Sequence, residues 1–96
     1  MKDAVELARE EASTGRDVLI LVPSYHYFKS LSPVEQGYSL THPCTGIFIR
    51  SAQNEPSLQA LRVDTLIIVG DCNSRGERLA RQAVLGSTEP RIIERY

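Results

Sequence analysis

Two apolar stretches, "DVLILVP" and "TLIIVG", constrain this chain more than any other feature of it. A strand with one face in water alternates apolar and polar residues. Val18 to Val22 and Leu66 to Val69 do not alternate, so each predicts a strand covered on both faces, as in a parallel sheet. The rest of the chain supplies the cover. Residues 2 to 14 set Val5, Ala8 and Ala12 on one helical stripe, with Leu7 beside it, Glu6, Arg9, Glu10 and Glu11 outward, and Gly15 as the stop. "GIFIR" (46 to 50) alternates and predicts a less buried strand, and "NEPSLQAL" at most a helical turn. Ser74 with Glu77 forms a capping box for a helix through Leu85, with Leu79, Ala83 and Val84 inward, Glu77 paired to Arg81, and Gly86 after it. "RIIERY" predicts a last strand.

The stretch between, "SYHYFKSLSPVEQGYSL", is mixed. Ser24 can cap a short helix bearing Phe28 and Leu31, and Ser32 with Pro33 and Glu35 is a second helix start. The expected order is α-β-α-β-turn-β-α-β. That order predicts a three-layer α/β domain over residues 1–96, with a mainly parallel sheet of about four strands.

Composition narrows the function classes. Ninety-six residues make one modest core. Eleven basic against twelve acidic side chains leave no excess for binding nucleic acid or membrane through bulk charge. No apolar run nears the ~20 residues that cross a bilayer. The acidic N-terminal stretch is unlike a signal peptide, and Cys44 and Cys72 suit reduced thiols, so a cytoplasmic protein is expected.

In α/β sheets ligands gather at the carboxyl ends of the strands. Here those ends carry Ser24 after the first apolar strand, and Asp71, Cys72, Asn73 and Ser74 after the second. Asp71 either positions Mg²⁺ from a rigid strand tip or caps the local turn. Cys72, near a helix N-terminus, is either an activated thiol or a small turn residue, and Ser24 with His26 is a weaker catalytic pair. His42 and Cys44 in "THPCT", with His26 and Cys72, lack the paired spacing of a zinc site, so no metal is expected. The glycines never cluster, and neither Lys2 nor Lys29 follows one, so no phosphate-cradling loop is present and no cofactor is expected.

Two groups remain. Arg75, Arg78 and Arg81 share a helix flank and either meet phosphate or an acidic partner or form a solvated face, the reading favoured here. Tyr25, Tyr27, Phe28 and Tyr38 serve equally well as interface anchors or as cover for the core.

From Glu6 onward the chain resembles an internal slice of the ATPase core of phage terminase large subunits and related superfamily 2 helicases. "AVELAREEASTGRDVLILVPS" resembles the helix after the phosphate loop and the following strand with its tip. "GIFIRSAQNEPSLQALRVDTLIIVGD" resembles the stretch ending in Walker B, and "RGERLARQAVLGSTEPRIIERY" the next helix and the coupling-motif strand. The resemblance implies a truncated P-loop NTPase-like, Rossmann-like fold. It also implies lost chemistry. Gly70 and Asp71 stand where the family has Asp-Glu, the turn near Ala60 lacks its usual glycine, and the Walker A strand and loop would lie upstream of Met1.

The expectation is therefore a non-catalytic, phage- or prophage-encoded α/β protein that binds a protein partner or itself, a homodimer included. Its role would be that of an inhibitor, a regulator or an assembly factor in a bacterial host cell. The competing class is a small enzyme acting on a nucleotide or phosphorylated ligand through Ser24, Asp71, Cys72 and Asn73. A third is a fragment whose remaining ATPase parts come from another polypeptide.

Overall fold

A computed structural model describes residues 4–24, 46–53, 55–59 and 61–94. Helix α1 (Ala4–Ser13) leads to strand β1 (Val18–Val22). Strand β2 (Ile47–Ser51), the short helix α2 (Glu55–Gln59), strand β3 (Thr65–Ile68), helix α3 (Ser74–Ala83) and strand β4 (Arg91–Ile93) follow in turn. The four strands form one sheet in the order β2-β1-β3-β4. Every pairing is parallel: Val18 lies beside Ile47 and Thr65, and Thr65 beside Arg91. This is the parallel α/β fold that the two apolar runs predict.

Those runs sit at the centre for the expected reason. All five residues of β1 and all four of β3 are buried. Successive side chains point to opposite faces, and each face has its own cover. Val18, Ile20, Val22, Ile47, Ile49 and Ile67 pack with Ala8 of α1 on one face. Leu19, Leu21, Leu66 and Ile68 pack with Leu58 of α2 and Ala80, Ala83 and Val84 of the α3 end on the other. The result is three layers. β2 alternates between buried and half-buried residues, and Phe48 carries the Arg50 guanidinium 5.7 Å from its ring centre.

Four local expectations need correction. Glu11 does not face outward: it is 7% exposed, and its carboxylate pairs with Arg91 of β4. Ala4, Leu7, Ala8, Glu11 and Ala12 follow one i, i+3, i+4 stripe, so Glu11 sits on the core-facing side of α1 and is tolerated there because it is paired. The cap of α3 is Asn73, whose Oδ1 accepts from Gly76 N–H at 2.6 Å, so Ser74 is the first helical residue. That helix ends at Ala83, leaving Leu85 77% exposed. Arg81 pairs with Glu94 at the end of β4. Gly15 does end α1, with φ +89° and its N–H bonded to the Ala12 carbonyl.

Candidate functional site

The carboxyl ends of β1, β2 and β3 meet above the sheet, and the predicted candidates lie among them. Backbone bonds set the spacing there. Ala52 N–H donates to the Val22 carbonyl at 2.8 Å, and Val69 N–H to the Leu21 carbonyl at 2.9 Å. Past Val69 the chain turns at Gly70, whose φ of +62° a side chain rarely adopts. Asp71, Cys72 and Asn73 then carry it into α3.

Asn73 does two jobs. Its Oδ1 caps α3, and its Nδ2 donates to the Ala52 carbonyl at 3.2 Å, tying the helix start to the tip of β2. One turn in, Gly76 lies against the same residue so closely that an added Cβ would sit 2.4 Å from the Ala52 oxygen. Cys72 points inward over the strand tips, its Sγ 3.5 Å from the Val69 carbonyl and 3.7 Å from that of Leu21. Burial, with Glu77 and Asp71 adding negative charge nearby, pushes its thiol up to about 11. The helix dipole that would favour a thiolate is therefore outweighed, and at neutral pH the group is a protonated donor.

The structure thus brings together Gly70, Asp71, Cys72, Asn73 and Ser74 at the tip of β3, with Ser24 half-buried beyond β1. Asp71 and Ser74 are exposed; Asn73 and Cys72 are engaged in holding the turn. Among the described residues, no group of three or more His, Cys, Asp and Glu is placed to hold a metal ion. Arg78 and Arg81 line one shallow groove on α3 with Ser74, Glu77, Gln82 and Leu85, while Arg75 lies outside it. Tyr25, Tyr27, Phe28, Tyr38, His26, His42 and Cys44 lie outside the described residues.

The opposite end of the sheet holds a polar cluster that the sequence reading missed. Arg16 precedes β1, and its Nε donates to Thr65 Oγ1 at 2.9 Å. One terminal nitrogen donates to the Asp64 carbonyl at 2.8 Å and to the Glu89 carbonyl at 2.5 Å. Asp64 accepts from Ser87 Oγ at 2.7 Å and from Asp17 N–H at 3.1 Å. These two bonds, with Arg16 nearby, hold its carboxyl below the usual range. Glu11 with its Arg91 partner completes the cluster, its second oxygen 4.0 Å from Arg16. Each contact joins an element to a strand start, so the cluster fastens the amino ends of β1, β3 and β4. The only sequence signal was polar residues directly before two apolar strands, and an acid inside the α1 stripe.

Comparisons with known protein families, with curated proteins and with solved structures found no match.

Proposed function

We propose that this chain is a non-catalytic α/β protein that works by protein–protein contact, as an inhibitor, regulator or assembly factor. It would be phage- or prophage-encoded and similar to a terminase or helicase ATPase core whose phosphate chemistry has been lost. One observation carries the reading. The strand-tip residues best suited to chemistry are committed to holding the turn: Asn73 caps α3 and grips Ala52, and the Cys72 thiol is protonated and turned onto carbonyls. Gly70, at the position of the family's metal-positioning aspartate, offers a left-handed turn in place of a carboxylate. Among the described residues, a ligand seated on that edge would meet Asp71 and Ser74 and no lysine.

The test is a calorimetric titration with nucleoside triphosphates, with and without Mg²⁺, beside a steady-state assay of phosphate release. No binding and no release are expected. Binding that Asp71→Ala abolishes would overturn the reading and favour a small nucleotide- or phosphate-ligand enzyme built on Ser24, Asp71 and Cys72.

A further inference from the structure

β4 and the chain leading into it are held unlike the rest of the sheet. β1 and β3 are buried along their whole length, whereas no residue from Leu85 to Glu94 is buried. Only Ser87 and Ile93 are half-covered, and of this span Ile93 alone packs on the core. Ile92 is 38% exposed. Apolar burial, which holds the other strands, therefore contributes little here.

Charge and hydrogen bonding hold the span instead. β4 pairs with Thr65, Leu66 and Ile67, and Arg91 N–H donates to the Asp64 carbonyl at 3.0 Å. On the α1 side of the sheet the Arg91 guanidinium pairs with Glu11, and on the α3 side Glu94 pairs with Arg81. At the lead-in, Arg16 donates to the Glu89 carbonyl at 2.5 Å and lies 3.9 Å from the Glu89 carboxylate. Ser87 Oγ donates to the Asp64 carboxylate at 2.7 Å.

The seat of the strand stays assembled without its occupant. Arg16 keeps its bonds to Thr65 Oγ1 and to the Asp64 carbonyl, neither of which belongs to the span. Glu11 keeps Arg16 4.0 Å away and is uncovered where Arg91 lay. Arg81 is already partly exposed. Release of β4 therefore strands no buried charge, the usual cost of breaking a buried ion pair. Val84, 1% exposed, is the last buried residue before the span, and Gly86 beyond it has open space around it.

We infer that residues 85–94 form a charge-latched strap, which lifts off β3 as one unit under control of ionic strength while β2, β1 and β3 stay folded. Raising salt from about 0.01 M to about 1 M shortens the screening length from about 30 Å to about 3 Å, and apolar burial is not weakened by it. Opening uncovers the outer backbone edge of β3 from Thr65 to Ile67.

The experiment is amide hydrogen exchange of the full chain, read residue by residue by NMR at constant pH in about 0.01 M and about 1 M sodium chloride. Protection is taken relative to an unstructured peptide at the same salt, which removes the effect of salt on exchange itself. Arg91 N–H reports the strap. Val69 N–H and Ala52 N–H, bonded to the Leu21 and Val22 carbonyls, report the core. Protection at Arg91 should fall about tenfold in high salt, from the weakening of three partly exposed pairs, while Val69 and Ala52 change by less than about twofold. Arg91→Gln with Glu94→Gln should lower protection at position 91 already in low salt and leave salt less than about a twofold effect there, with the core unchanged. Protection at Arg91 that is absent in low salt, or indifferent to salt, overturns the inference. So does a loss at Arg91, Val69 and Ala52 by one common factor, or a salt dependence undiminished by the double substitution. Should the doubly substituted chain fail to fold, the comparison of the two salt conditions in the unaltered chain decides.

Discussion

Gly76 shows how little room separates α3 from the tip of β2. A methyl group there would lie 2.4 Å from the Ala52 oxygen and 2.7 Å from the Ala52 Cβ, so backbone would have to move. Gly76→Ala is expected to lower stability by about 2 kcal/mol despite the better helix propensity of alanine, measured by urea unfolding. A gain in stability would show that helix and strand separate freely. Cys72 makes a second expectation at this scale. With its pKa raised to about 11, alkylation at Cys72, followed by peptide mass mapping that reads it apart from Cys44, should be slow at pH 8 and climb steeply above pH 10. The sign for stability follows from linkage. The folded-state value lies above the ordinary thiol value of 9.0, so the contribution is fully present below pH 9 and fades as pH rises towards 11. Rapid labelling of Cys72 at neutral pH would contradict the partly buried, carbonyl-facing thiol. Gly76 did not declare itself in the sequence, and Cys72 did so only as either an activated thiol or a small turn residue; contacts with Ala52 and Leu21, distant along the chain, decide what each does.

Among the elements, α2 and α3 show opposite kinds of dependence on tertiary contact. α2 has five residues, far below the length at which a helix holds in water by itself, and Leu58, 1% exposed, is what pins it to the sheet. Leu58→Ala should cost about 3 kcal/mol by leaving a cavity between α2 and the core. A loss below about 1 kcal/mol in thermal unfolding would mean that the site collapses around it. α3 is set locally at its start and globally at its end. Asn73 supplies the cap, and because the same side chain bonds Ala52, Asn73→Ala should cost more than Asn73→Asp, which keeps the cap and loses the donor. Equal losses, measured by urea unfolding, would remove the Ala52 bond from the account. The expected cap, Ser74, was one position off because both residue types cap well, and only the backbone turn at Gly70 decides between them.

For the whole molecule, one end of the sheet is fastened by charge and the other by helix capping and close packing. Arg16 bonds Thr65, Asp64 and Glu89, so it joins three segments that are far apart in sequence. Arg16→Ala is expected to cost about 2 kcal/mol and to loosen β4 first, which amide exchange at Ile92 and Ile93 would report. Exchange unchanged at β4 would separate that strand from the cluster. Asp64 adds a pH dependence of known sign. Its folded-state pKa is depressed, so its contribution is present above the ordinary carboxylate value and is lost as pH falls through the lower folded value. Ser87→Ala should narrow that acid-side loss by removing the largest cause of the shift. No helix among the described residues is long and apolar enough to cross a membrane. The composition and pattern of the chain determined the layered parallel sheet, because a strand without alternation has to be covered on both faces and the flanking stripes can cover it. Only the tertiary structure decided the strand order, the burial of Glu11 and the two-sided roles of Asn73 and Arg16. Each of those depends on partners brought together by the assembled sheet, and no local pattern of residues encodes a contact between positions that far apart.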